Sequence, residues 1–142
     1  MATTTFLSNA TVNLTVGSTT YDLSDQCTSC TLTAGYDALE ITSFGDTAHK
    51  FQKGLQSVEV SLSMFNSYGA SEVEAALYDA VNTGICTLVI SPSGTSESAS
   101  NPEYTIVGAM LASFTPINST VGELSVSEAL FTGGTFARDI TP

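Results

Sequence analysis

Between residues 57 and 65 the chain alternates without a fault: Val58, Val60, Leu62 and Met64 are separated by Ser57, Glu59, Ser61 and Ser63. An extended strand sends successive side chains to opposite faces, so this period of two gives one apolar and one polar surface. One face is expected to be buried and the other wet. The same pattern recurs near the N-terminus, where Val12, Leu14 and Val16 alternate with Thr11, Asn13 and Thr15. Gly17-Ser18 then supplies a turn before a further short strand over 19–23, which makes an N-terminal hairpin. Leu39 and Ile41 alternate with Glu40 and Thr42, so residues 38–44 read as a partner for the strand at 57–65. Further strands are expected at 85–90, 104–114 and 123–131. The sum is mainly β: an antiparallel β-sandwich or partly open barrel of roughly seven strands with one flanking α-helix.

The helix is expected just after residue 71. Ser71 as N-cap and Glu74 three residues on fit a capping box, and the acidic side chains suit the positive end of the helix dipole. Val73, Ala76, Leu77, Ala80 and Val81 form one apolar stripe, and Gly84 stands where a left-handed cap would end the helix. Two connections stand out. A glycine-bounded segment over 45–54 joins two strands, and residues 91–102, rich in Ser and lacking periodicity, read as a mobile surface loop. No repeat or linker divides the chain, so 1–142 is a single domain, and its 142 residues suffice for one core.

Charge narrows the function classes. With 14 Asp and Glu against 3 Lys and Arg, the formal net charge is −11. Such a chain repels nucleic-acid phosphate and has no basic stripe to neutralise it. Disorder is also disfavoured, because 42% of the residues are hydrophobic. The apolar run at 107–112 is far shorter than the ~20 residues that cross a bilayer, so no membrane partner is expected. Residues 1–7 lack the basic and apolar regions of a secretory signal, which points to a soluble protein made in a cytoplasm. The sequons at Asn9, Asn13 and Asn118 carry no weight in so Thr-rich a chain.

Chemistry finds little to stand on. Cys27, Cys30 and Cys86 are an odd set for a disulfide framework, and with His49 as the sole histidine a four-ligand zinc site is hard to complete. The Cys27-x-x-Cys30 spacing lies in strand or turn sequence instead of opening a helix, so free thiols are expected. Zinc-binding His-Glu-x-x-His, glycine-rich phosphate loops and the Gly-x-Ser-x-Gly elbow are all absent. A pair of His49 with a cysteine lacks an orienting third group. Carboxylate pairs such as Asp37 with Glu40, or Glu72 with Glu74, are what so acidic a surface contains anyway. Phe44, Phe51, Phe65 and Tyr68 could make a sugar platform, although core packing and subunit contacts explain them as well. No catalytic residue, metal or cofactor is expected, and the chain reads as a non-enzyme.

The segment from Glu40 through Phe44-Gly45-Asp46 and Gly54-Leu55 to Leu62 resembles the centre of phage tail tube proteins: a strand, a Gly-Asp turn, a long loop, then a Gly-Leu pair opening an alternating strand. The element order agrees over most of the chain. The resemblance implies a structural virion subunit of a long non-contractile tail, made in the host bacterial cytoplasm, whose copies form hexameric rings stacked into a hollow tube. It implies partners as well: further copies of the chain, tape measure and tail-end proteins, and genomic DNA that passes without specific binding. On that expectation Glu40, Thr42, Ser57, Glu59, Ser61 and Ser63 face an acidic lumen. Phe44, Gly45, Asp46, His49, Lys50, Phe51, Lys53 and Gly54 form an inter-ring loop, with Phe51 buried on the next ring and the lysines meeting its acidic surface. The competing class is a secreted or surface β-module, pilin-like or glycan-binding.

Overall fold

A computed structural model describes residues 10–141, which leaves the N-terminal stretch and the sequon at Asn9 outside it. The elements run β1 Thr11–Val16, β2 Thr19–Asp22, β3 Cys27–Glu40, β4 Phe51–Phe65, α1 Val73–Thr83, β5 Cys86–Ser91, β6 Glu103–Phe114, β7 Val126–Thr132 and β8 Thr135–Asp139. Every strand pair is antiparallel, and the order is β2-β1-β5-β6-β7-β4-β3 with β8 added to β6. Among the described residues the sheet is not closed: β2 and β3 each have a free edge.

β6 is the strand that turns this sheet into two layers. Its first half pairs with β5 and β8, and from Met110 onward it pairs with β7 instead. Gly108 marks the change, with φ 83° in the left-handed region that glycine adopts freely. Gly134 lies against it: a Cβ there would stand 2.6 Å from the Val107 carbonyl oxygen, so no other residue fits the crossing. The two layers then face each other. Val12, Leu14, Leu88 and Ile106 oppose Val58, Val60, Leu62, Met64 and Phe131, all fully or almost fully buried, as the alternation requires.

Helix α1 closes one side of this core, packing on β6 and β1 through Val73, Ala76, Leu77 and Ala80. Tyr21 Oη donates to Asp79 Oδ2 at 2.6 Å and ties the first hairpin to the helix. The expected capping box is absent. Ser71 has φ 65° and the N-cap is Glu72, which makes no side-chain cap bond. Ser67 serves instead: its Oγ accepts from Val73 N and its carbonyl accepts from Glu74 N, because the preceding turn brings it back over the open amides. Val81 is largely exposed and leaves the predicted stripe, while Gly84 caps the C-terminus as expected, its N–H bonding to the Ala80 carbonyl.

Other expectations shift. β3 and β4 are single long strands of 14 and 15 residues, and Ile41 to Phe44 lie beyond the end of β3. β8 went unforeseen because its only large apolar residue is Phe136. The segment at 91–102 has structure of its own. Buried Asn101 donates through Nδ2 to the carbonyls of Thr95 at 2.9 Å and Ser96 at 3.2 Å, and it pairs with Ser98 through two backbone bonds. One asparagine thus replaces the missing ladder for the carbonyls it gathers.

Candidate functional site

The feature that leaves the body is the outer half of the β3–β4 hairpin. Along β4, Val58, Val60, Leu62 and Met64 are buried, whereas Phe51, Lys53 and Leu55 are exposed; on β3 every residue from Thr33 to Glu40 is exposed. Among the described residues the hairpin therefore continues as an arm whose two strands pack chiefly on each other, with Phe136 N of β8 donating to Gln56 Oε1 at its base. Its register slips between Tyr36 and Ala38: Tyr36 faces Gln56 but Ala38 faces Lys53, so β4 holds an extra residue. Gly54 sits in this bulge. A Cβ there would come within 3.0 Å of the Asp37 Cβ and 3.2 Å of the Leu39 side chain.

The bulge decides which side chains share a face. Below it, Ser57, Glu59, Ser61 and Ser63 face Gly35, Thr33, Thr31 and Ser29 on β3. On the other flank Glu59, Ser61 and Ser63 face Thr132, Leu130 and Glu128 on β7. This is one broad, mostly hydroxyl-bearing surface with carboxylates at Glu59 and Glu128. Glu40 pairs with Phe51, on the side of Tyr36 and Lys53, and so lies on the opposite face from Glu59. Thr42 lies past the strand in the tip. The lumen set named from sequence is thus divided: its four β4 members stay together, and Glu40 and Thr42 belong to the arm.

The tip itself is 41–50, displaced toward the N-terminus from the segment expected at 45–54, because Phe51, Lys53 and Gly54 are part of β4 and β3 ends at Glu40. Its turn is locked. Asp46 Oδ2 accepts from Ser43 N at 2.8 Å, Asp46 N donates to Ser43 O, and Gly45 takes φ 94°. Lys50 Nζ meets Asp46 Oδ1 at 2.8 Å, and His49 Nδ1 meets Glu40 Oε2. The Lys50 ammonium and the Ser43 amide hold the Asp46 carboxyl below its ordinary range. Lys53 Nζ lies 3.8 Å over the Tyr36 ring, a cation–π contact. Held this way, the turn thrusts Phe44 fully into solvent, with Leu39, Ile41, Phe51 and Leu55 exposed beneath it.

A second exposed apolar group was missed from sequence. Ile117, Val121 and Leu124 in the β6–β7 connection, with Tyr68 beside them, lie at the far end of β4, where Phe65 pairs with Val126. The signal was there in principle: these residues fall in a segment with Pro116 and Gly122 and follow no strand or helix period, so no core could use them. The separation also ends the sugar-platform reading, since Phe44 and Phe51 are at one end of β4 and Phe65 and Tyr68 at the other, about 45 Å away at the usual rise per residue.

Among the described residues nothing assembles a reaction centre. Among the described residues no three His, Cys, Asp or Glu side chains converge as metal ligands. The three thiols are free, and burial pushes those of Cys30 and Cys86 up to about 11, so they remain protonated and unreactive near neutrality. A groove of about 440 Å³ opens between the layers, but it is lined mainly by apolar side chains including Leu32, Ile90, Tyr104 and Phe136. The last two stack with centroids 5.4 Å apart.

No protein-family profile matches the chain, and no curated protein matches it by sequence. Solved structures do match by shape. The SPP1 tail tube superposes with a TM-score of 0.74 at 9% identity, over 96% of this chain and 79% of the other. The fold is that of a tail tube protein. The tail of an empty gene transfer agent particle, refined with C6 symmetry, gives 0.70 at 10% identity over 93% and 95% of the two chains. The sheath/tube terminator of an extracellular contractile injection system gives 0.69 at 16% identity, over 97% and 98%. The likeness extends over nearly the whole chain.

Proposed function

We propose that this chain is a structural, non-enzymatic tail tube subunit, and that copies of it close into rings of six which stack into a hollow tube. The observation that carries this reading is the near-complete superposition on tube components of several particles, one of them refined with C6 symmetry. Physical support comes from the edges. The layer β6-β7-β4-β3 ends in an unpaired β3 on one side and an unpaired Met110–Phe114 edge on the other. Such edges pair with other chains unless covered, and a head-to-tail contact repeated by rotation closes a ring without leaving any. The purified protein at high concentration should show rings or hollow tubes of uniform width in negative-stain micrographs. A solitary particle under every assembly condition sinks the reading.

In such a ring the hydroxyl-rich face of β4 and β7 lines the channel. Ser57, Glu59, Ser61 and Ser63, with Glu128, then present carboxylates to passing DNA, which repel phosphate and give it nothing to grip. Glu59→Lys combined with Glu128→Lys should leave tubes intact and slow genome ejection; unchanged ejection removes the idea. The arm from Phe44 to Gly54 makes the contact between rings, with Phe44, Gly45, Asp46, His49 and Lys50 at its end and Phe51, Lys53 and Gly54 along its side. The tube ends meet tape measure and terminating proteins, and the assembled product belongs to a virion tail after synthesis in the host cytoplasm.

A further inference from the structure

The inner face of β3 is only partly covered. In the ladder Cys30, Leu32 and Ala34 stand opposite Leu62, Val60 and Val58, and directly paired residues project to the same side of a sheet. The three β4 side chains are 1–2% exposed, yet Cys30 and Leu32 are half-buried and Ala34 is exposed. The opposing layer therefore shields β4 and stops short of β3. What remains under β3 is the groove of about 440 Å³, walled by Cys30, Leu32 and Ala34 and floored by Ile90, Pro92 and the stacked Tyr104 and Phe136. A second hollow of about 330 Å³ shares Ala10 and Cys30 with it and continues toward Cys27. The two make one trough along β3, and among the described residues no charged side chain lines it.

Ala10, the first described residue, belongs to both hollows. The β1–β5 ladder ends at the same place. Thr11 pairs with Ser91 on the last rung, and the Pro92 that follows has no N–H with which to add another.

We infer that residues 1–9 of the same chain are the occupant of this trough, with Phe6 and Leu7 seated between β3 and the floor of Ile90 and Tyr104. The inference goes beyond the tube reading and does not depend on it. Reach supports it: Phe6 and Leu7 precede Ala10 by four and three residues, about 10–13 Å of extended chain. Chemistry supports it too. Residues 1–9 contain no Asp, Glu, Lys or Arg, so no charged side chain has to lose its water on entering an uncharged trough. Tethering favours this segment over any occupant from solution, because a short tether holds a group at an effective concentration on the order of millimolar. Seated there, the segment gives β3 the inner cover that the opposing layer does not reach to supply, and it steadies the base of the long hairpin.

The chain contains no tryptophan, so Phe6→Trp places a single reporter in the full-length protein. In dilute, monomeric samples its emission should be blue-shifted from that of free tryptophan, and acrylamide should quench it several-fold less. Adding Ala34→Glu, which sets a charge at the exposed lip of the trough, should return both readings to those of a solvated indole. As an independent measure, Phe6→Ser with Leu7→Ser should raise the equilibrium constant for denaturant unfolding at least about tenfold, because two large side chains lose their burial. Solvated emission from Phe6→Trp overturns the inference, and so does a blue shift that Ala34→Glu leaves unchanged, which puts the side chain elsewhere. Protection that appears only as the protein concentration rises overturns it as well, since the occupant is then the segment of another copy. Unaltered unfolding in the double serine variant has the same force. None of these readings depends on ring or tube formation, which micrographs follow separately.

Discussion

One strand, β4, lives two lives. From Ser57 to Met64 it alternates strictly and buries Val58, Val60, Leu62 and Met64 against the opposite layer; from Phe51 to Gln56 it stays paired with β3 on both sides of the bulge at Gly54 yet buries no large apolar side chain. Both halves are hydrogen-bonded to β3, so the ladder alone does not decide where stability resides. What differs is the neighbour on the flank: β7 reaches along β4 only as far as Glu59, and beyond that point the hairpin is a two-stranded ribbon. Such ribbons are marginal by themselves. The body holds the fold, and the arm is left available for a partner.

That contrast can be broken by experiment. The largest effect belongs to the body: Phe131→Ala, at a fully buried site between the layers, should cost about 3–5 kcal/mol in denaturant unfolding. The matching change on the arm, Phe51→Ala, should move the monomer by less than about 0.5 kcal/mol. A cost of several kcal/mol there means that the arm packs on its own body. The smallest effect sharpens the picture of the tip. Asp46 has its pKa lowered by Lys50 and Ser43, so its contribution is complete above the ordinary value of 3.8 and is lost as the pH falls through the lower, folded value. Backbone amide resonances of 43–50 should disperse as usual at pH 5 and collapse toward random-coil positions only in stronger acid, with the body unaffected. Collapse already at pH 5 means the brace does not hold the turn.

How much was legible in the sequence follows the same division. Period two is enforced wherever a strand has a core on one side, so β1, β4, β5 and the body half of β6 announced themselves. β3 concealed its length: Thr28, Ser29, Thr31 and Thr33 face solvent, and Leu32 is the only large aliphatic residue between Cys27 and Tyr36, so hydropathy gave nothing to count. The capping box failed because Ser71 adopts a positive φ, a backbone choice that the preceding Gly69-Ala70 turn imposes and that residue type alone does not reveal. The candidate sites were half visible. Ser57, Glu59, Ser61 and Ser63 share a face as alternation demands, but Glu40 stands seven residues from Thr33, the partner of Glu59, and so falls on the other face, where the bulge at Gly54 brings Phe51 and Lys53 to join it; a glycine in a strand permits a bulge without specifying it. The exposed group of Ile117, Val121 and Leu124 needed three-dimensional knowledge of which apolar residues the core leaves out.

The strand shared between the layers has a mechanical consequence. Because β6 is bonded to β5 and β8 over its first half and to β7 over its second, the two layers meet through continuous covalent backbone at Gly108 as well as through packed side chains. A load applied along that backbone passes from one layer to the other without first prying open the hydrophobic contact. Longitudinal force on the molecule then meets rows of hydrogen bonds in shear, where many must yield at once, instead of a seam that can peel one bond at a time.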